Sequence, residues 1–166
     1  MRRWALRILL LGIVVALGIW GWQVWFPGPE QVIRRQLTEL ARLASISPNE
    51  APLKKLATAQ QLAGFCTKDV EVSVDVPGRS TFTISGKDEL RETVIGARSS
   101  GSSVTVEFVD VSVNVAPDKT TAVARLTAKA TIPGDNVPQV QELKIDFKKV
   151  EKDWLVNHAE TVRTLR

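Results

Sequence analysis

The feature that most constrains this chain is an uncharged run of 22 residues, Ile8 to Pro29, near the start of a 166-residue sequence. A helix of that length reaches roughly 33 Å, enough to cross a hydrocarbon core about 30 Å thick. Cations precede the run and indoles crowd its far end: Arg2, Arg3 and Arg7, then Trp20, Trp22 and Trp25. By the positive-inside rule, residues 1–7 are cytoplasmic, 8–28 form a transmembrane signal anchor, and 29–166 form a domain outside the cytoplasm. We expect a single-pass protein of a bacterial inner membrane with a periplasmic domain.

The alternative to a retained anchor is a cleaved signal peptide. Signal peptidase requires small residues before the cut, in an A-x-A-like pattern. The end of this apolar run contains indoles instead and has no such pattern. The sequence therefore favours a retained anchor.

The basic composition does not indicate a nucleic-acid-binding protein. Three of the 22 Lys and Arg residues precede the anchor, whereas all 18 Asp and Glu residues follow it, which leaves 19 cations against 18 anions in the domain. These charges are interspersed, as in "KDELRE" and "KKVEKDW". This pattern is typical of an ordinary solvated surface and not of a phosphate-binding patch.

Two amphipathic helices are predicted directly after the anchor. In the first, apolar residues recur three or four apart, at Ile33, Leu37, Leu40 and Ala44. Ser47 is predicted to cap the second, which ends near Gly64. Its inner side is predicted to carry Leu53, Leu56 and Ala63.

From Asp69 onward the pattern mostly has the two-residue period of strands. A strand with alternating valines from Val70 to Val76 leads through "PGRS" to a short partner in which Phe82 and Ile84 face alike. A third helix, capped by Asp88, precedes four long strands. The apolar phase slips by one at Phe108–Val109, which predicts a β-bulge.

The apolar faces of the last three strands complete the predicted core. They are Ala122, Ala124, Leu126, Ala128, Ala130 and Ile132, then Leu143, Ile145 and Phe147, then Trp154, Val156, His158 and Val162. Long strands joined by short turns form antiparallel meanders, and the helices must cover the apolar face. We predict an α+β fold in the order α-α-β-β-α-β-β-β-β, with a cone-shaped, curved antiparallel sheet and helices on its concave face.

This order, with "SGKDELRETV" before the third helix and "KDWLV" opening the last strand, resembles the nuclear transport factor 2-like (cystatin-like, SnoaL-like) superfamily. The resemblance covers about residues 30–166. It implies a cone whose mouth can hold a small hydrophobic molecule, and frequent dimerisation through the sheet. Catalysts and binding modules share the scaffold. An anchor followed by such a domain also resembles inner-membrane assembly subunits of type IV secretion systems and Mce-associated proteins.

The sequence offers few of the residues that a catalytic site would need. The chain has no tyrosine to stabilise an oxyanion, and the alternation points Asp75, Asp110 and Asp146 away from the apolar face. His158, the only histidine, is predicted to share the side of Trp154 and Val156, with Glu160 able to hold its ring. It is either a general base or a hydrogen-bonded residue at the rim of the cone.

A metal site or a reactive thiol has even less support in the sequence than a catalytic base. One His and one Cys give no ligand spacing, so we expect no metal and no cofactor. Cys66 cannot form an internal disulfide and is predicted to be a buried small thiol.

The sequence thus predicts a non-catalytic binding or assembly domain at the membrane. Its partner is an envelope protein, a second copy through the sheet, or a small hydrophobic ligand, but not nucleic acid. The predicted ligand pocket consists of Phe82, Leu126, Phe147, Trp154, Val156 and His158. The alternative function is a SnoaL-like isomerase, cyclase or dehydratase with His158 as general base.

Overall fold

The computed structural model describes residues 28–75, 81–135 and 137–162. The predicted anchor at 8–28 lies outside these ranges except for Gly28. Within them, no helix is both long enough and apolar enough to span a bilayer.

The described chain contains three helices and six strands in the predicted order. The helices are α1 (Pro29–Ala44), α2 (Pro52–Gly64) and α3 (Lys87–Ser99). The strands are β1 (Cys66–Val74), β2 (Phe82–Ser85), β3 (Thr105–Val115), β4 (Thr121–Thr131), β5 (Gln139–Val150) and β6 (Asp153–Thr161).

The six strands form one curved sheet in the order β2-β1-β6-β5-β4-β3. The last four strands make the predicted antiparallel meander. The sheet is nevertheless mixed, because β1 pairs with β6 in parallel, with Cys66 opposite Val156. The prediction of a wholly antiparallel sheet is therefore wrong at this junction. Local alternation identifies a strand but does not determine which distant strand it joins.

The core lies between the sheet and α1. Ile33, Leu37 and Leu40 of α1 are buried, as the helical spacing predicts. They belong to one apolar cluster with sheet residues from five strands: Cys66, Val70, Ile84, Ala122, Ala124, Leu126, Ile145, Phe147, Trp154 and Val156. Ala128, also predicted on the apolar face of β4, packs partly against the same cluster.

Helix α2 corrects two predictions. Its N-cap is Ala51, with no side-chain cap, and Pro52 supplies the first turn; Ser47 lies upstream, where its amide approaches Glu50. Leu53 is 80% exposed and Leu56 is half exposed, whereas Thr58, Ala59 and Ala63 are buried. Small residues turn inward here because α2 packs closely beside α3, and this leaves the larger leucines in solvent.

Helix α3 starts after Gly86, which adopts a positive φ of 89°. Asp88 lies in the first turn and pairs with Arg91 at 3.4 Å instead of capping the helix. Glycine takes the cap because an L-residue is strained at that φ.

The predicted bulge in β3 is present, two residues later than the change of apolar phase. The pairing passes from Val109 opposite Thr127 to Ser112 opposite Arg125, so two residues of β3 oppose one of β4. Asp110 takes the left-handed conformation at φ 52°. Such a bulge bends the strand and increases its twist.

Candidate functional site

The described chain has a groove between α1 and β3, the edge strand. Its volume is about 550 Å³, within the range of ligand pockets. The apolar residues that line it are Leu37, Ala41, Val106, Phe108, Val109 and Val111. The other lining residues are Arg34, Thr38, Arg42, Thr105 and Glu107.

The two cations of the groove are already engaged by carboxylates of α1 and, for Arg34, by a carbonyl of β3 as well. Arg34 Nη2 lies 3.0 Å from Glu30 Oε1, and Arg34 Nη1 donates to the carbonyl of Val111 at 2.7 Å. Arg42 Nε donates to Glu39 at 2.8 Å, a hydrogen bond that lowers the pKa of the Glu39 carboxyl. The two guanidinium groups therefore hold the rim of the groove in place. They offer little unpaired positive charge to a ligand in the groove.

Backbone groups on part of the free edge of β3 form hydrogen bonds with residues at the end of α1. The amide of Val106 donates to Ser45 Oγ at 2.9 Å, and Ile46 forms a two-way backbone bridge with Val104. An edge strand with open backbone groups is a site for unwanted pairing. Here α1 and its following loop cover that edge and form one wall of the groove.

His158 lies on the opposite face of the sheet from Trp154 and Val156. Phe147 is opposite Val156, but Asp146 is opposite His158, so Asn157 is an extra residue in β6. This bulge reverses the alternation, and Ala159 takes the core side instead. The predicted shared side for His158 is therefore wrong. The sequence pattern did not reveal the bulge because Ala159 is small enough to be read in either phase.

Carboxylates surround His158 on that outer face. Its Nδ1 lies 3.9 Å from Glu71 and its Nε2 lies 3.6 Å from Glu160. Lys144 lies 3.0 Å from Glu160 and 3.5 Å from Asp146, and its hydrogen bond is the main cause of the lowered pKa of Glu160. The imidazole and the lysine thus stabilise one acidic cluster on the solvent side.

The other predicted pocket residues do not line the groove. Leu126, Phe147, Trp154 and Val156 are buried in the core, and Phe82 is half exposed on β2. The open surface beside the core is lined instead by α1 and β3, on which the sequence offered only the amphipathic and alternating patterns.

The three aspartates predicted to point away from the apolar face lie apart from one another along the sheet. Asp110 is exposed at the bulge of β3, and Asp146 pairs with Lys144 on the outer face. Asp75 directly follows β1, and its backbone amide donates to Thr161 Oγ1. The predicted outward orientation is confirmed for Asp110 and Asp146.

Cys66 is buried, as predicted, and burial raises the pKa of its thiol to about 11. A thiol in that state is a poor nucleophile at neutral pH. No cluster of three or more His, Cys, Asp or Glu suited to a metal ion occurs in the described parts of the chain.

A buried ion pair that was not among the predicted features joins α3 to the loop before α2. Arg98 Nη1 lies 2.6 Å from Glu50, and the two side chains are 2% and 4% exposed. Arg98 also donates to the carbonyls of Leu43 and Ser45. The signal was available, because Leu90, Val94 and Arg98 recur at steps of four and therefore share the inner side of α3.

Several solved structures share this architecture at low sequence identity. The yeast UBP3-associated protein BRE5 aligns at a TM-score of 0.61 with 8% identity, over 81% of this chain and 97% of its own. Aln2 from a Streptomyces species aligns at 0.59 with 14% identity, over 83% and 94%. An NTF2-like protein with a cystatin-like fold from Novosphingobium aromaticivorans aligns at 0.54 with 18% identity, over 77% and 79%.

The domain has the nuclear transport factor 2-like fold. No protein-family model matches the chain, and no curated protein matches its sequence. At these identities the structural likeness establishes the scaffold alone, which is known to carry both catalysts and binding modules.

Proposed function

We propose that this chain is a membrane-anchored, non-catalytic binding module whose nuclear transport factor 2-like domain lies outside the cytoplasm. The groove between α1 and β3 is its binding site, and the ligand is a small hydrophobic molecule or an apolar segment of an envelope protein. The observation that carries this proposal is the composition of the groove. Six apolar side chains line about 550 Å³, and Glu107 is the only acid or base candidate among the lining residues.

A catalytic site requires converging groups with matched acid and base roles. His158, Glu71 and Glu160 are absent from the groove lining, and they face the other side of the sheet. A groove with a largely apolar lining and a single carboxylate favours retention of an apolar ligand over its chemical conversion.

The proposal is tested with the full-length chain in lipid nanodiscs. Thr38 is exposed and lines the groove, so Thr38→Trp fills the groove without disturbing the core. Glu92→Trp places the same indole on the exposed side of α3 and serves as the matched control. Small molecules and proteins retained by each variant are identified by mass spectrometry, with empty nanodiscs as background.

We expect a specific molecule or partner to be retained by the wild type and by Glu92→Trp, but not by Thr38→Trp. Equal retention by all three proteins would show that the groove is not the binding site.

The alternative is a SnoaL-like small-molecule enzyme with His158 as general base. The observation in its favour is the position of His158 between two carboxylates, at 3.9 and 3.6 Å. If it is correct, His158→Ala loses turnover of an identified substrate while keeping its circular-dichroism spectrum. Unchanged turnover would eliminate the alternative.

A further inference from the structure

The predicted anchor and helix α1 meet at Gly28 in the sequence. Gly28 is the last residue of the predicted anchor and also the N-cap of α1, and Pro29 begins the helix. The amides of Gln31 and Val32 donate to the carbonyl of Gly28 at 2.9 and 3.2 Å. With the proposed anchor attached at Gly28, the position of the α1 N-terminus determines which end of the domain faces the membrane.

Helix α1 runs antiparallel to β3. Arg34 contacts Val111 near the beginning of α1, and Ser45 contacts Val106 just after its end. Eleven helical residues cover roughly 16 Å, as do about five strand residues, so the two contacts agree in spacing. The N-terminus of α1 therefore lies at the end of the sheet where β3 terminates.

Two hairpins meet at that same end. The turn after β3 is closed by a hydrogen bond from the amide of Ala116 to the carbonyl of Thr121. The backbone amide of Lys149 on β5 donates to the carbonyl of Thr120 at 2.7 Å. The turn from β5 to β6 follows at once, with Val150 opposite Asp153. We call residues 116–120 and 148–153 the hairpin end.

The hairpin end exposes four lysines and one apolar side chain. Lys119, Lys148, Lys149 and Lys152 are exposed. None of them forms an ion pair with another residue of the described chain. Val150, between them, is 42% exposed. The acids of this end are Asp118, Glu151 and Asp153. Asp118 is engaged by the hydroxyl and amide of Thr120, at 2.6 and 3.1 Å.

We propose that the hairpin end rests on the anionic phospholipid surface of the membrane that holds the anchor. The lysine ammonium groups contact lipid phosphates, and Val150 enters the headgroup region. This inference depends on the proposed function, because the anchor brings the hairpin end to the bilayer. Exposed lysines next to a membrane-spanning segment are attracted by the negative potential of anionic lipids. Docking here orients the domain and leaves the opposite end of the sheet pointing away from the bilayer.

The experiment compares two exposed valines of the same strand. Val150 lies at the hairpin end, whereas Val140 lies ten residues earlier on β5, roughly 33 Å away, and is 57% exposed. The full-length variants Val150→Cys and Val140→Cys are labelled with a small fluorophore and reconstituted into phosphatidylethanolamine–phosphatidylglycerol vesicles. These vesicles contain a lipid with a nitroxide on its headgroup. Native Cys66 is buried and remains unlabelled under these conditions.

We expect several-fold stronger quenching at position 150 than at position 140. The difference should shrink in purely zwitterionic vesicles, at high salt, and in a Lys149→Glu/Lys152→Glu background. Lys129→Glu, at the opposite end of β4, should leave it unchanged. Equal quenching at the two positions, or stronger quenching at 140, would overturn the proposal.

Carbonate extraction of the same vesicles separates this proposal from the anchor. If the chain resists extraction but both positions are quenched alike, the anchor is supported and the docking of the hairpin end is wrong. If the chain is extracted, the anchor is wrong, and the docking that depends on it is overturned as well.

Discussion

Replacing Arg98 with methionine should be among the most destabilising single changes in this domain. The guanidinium of Arg98 connects three segments: the Glu50 carboxylate before α2, and the carbonyls of Leu43 and Ser45 at the end of α1. Methionine fills much of the volume but leaves the Glu50 carboxylate, 4% exposed, without its buried cation. Breaking a buried pair from one side costs about 3–5 kcal/mol.

The lower end of that range applies here. Glu50 retains the amide of Ser47 at 3.4 Å and the ammonium of Lys54 at 3.9 Å. A loss of about 3 kcal/mol is a large part of the roughly 5–15 kcal/mol that stabilises a typical domain, and it lowers Tm by roughly 10 °C. Urea unfolding followed by circular dichroism measures the free energy.

Arg42→Met is the matched control, because Arg42 forms a comparable pair with Glu39 on the solvent side of α1. Exposed pairs contribute little to stability, so this variant should unfold with the wild type. A double variant, Arg98→Met/Glu50→Leu, should recover part of the loss by removing the unpaired carboxylate. If Arg98→Met unfolds at the same urea concentration as Arg42→Met, the reasoning is refuted.

The pH dependence of the same pair has a defined sign. Burial opposes ionisation of Glu50, but its hydrogen bonds with Arg98 and Ser47 and the nearby cations outweigh burial and lower its pKa. A lowered folded-state pKa gives stability that is present above the unfolded value and is lost as the pH falls through the folded value. The difference between wild type and Arg98→Met should therefore narrow in acid.

Three further predictions concern single residues. Asp110→Gly should stabilise the domain by up to about 1 kcal/mol by relieving the positive φ of 52°, and Asp110→Val should destabilise it, as measured by urea unfolding; equal stability of the two variants would contradict the strain argument. Because burial raises the pKa of Cys66 to about 11, the thiol should react slowly with maleimide at pH 8 until urea unfolds the protein, and stability should fall as the pH rises from about 9 to 11; fast labelling of the native protein would contradict this burial. Deleting Asn157 should destabilise the domain severely, because without the extra residue one half of β6 turns its core-facing side chains outward; a well-folded deletion variant would show that β6 tolerates either register.

The helices and strands could be predicted because each depends on the spacing of side chains within one short segment. Apolar residues at helical spacing identify α1, with Ile33, Leu37 and Leu40 buried as expected. Alternation of apolar and polar residues identifies the long strands, and the shift of the apolar phase near Phe108 predicts the bulge of β3. The strand order of the meander follows from short turns, which leave consecutive strands little choice but to pair.

The candidate site was less accessible to sequence reasoning because it depends on which elements meet. The groove exists because α1 lies along the edge of β3. The residues of one wall are more than 60 positions away in the chain from those of the other wall. His158 changes face because of one added residue, Asn157, which alternation alone does not reveal when Ala159 fits either side. Hydrophobicity predicts that Leu53 and Leu56 lie in the core. Because α2 packs closely beside α3, the smaller Ala59 and Ala63 are buried instead.

The kinds and the order of the elements follow from the amino-acid sequence, since the period of side chains along a helix or strand is a property of a few neighbouring residues. Contacts between distant segments set three further features: the parallel junction of β1 with β6, the side on which His158 lies, and the burial of Arg98 with Glu50. Each of these depends on free energies of packing and desolvation between segments distant in the chain, and those energies are defined only when the segments are in contact.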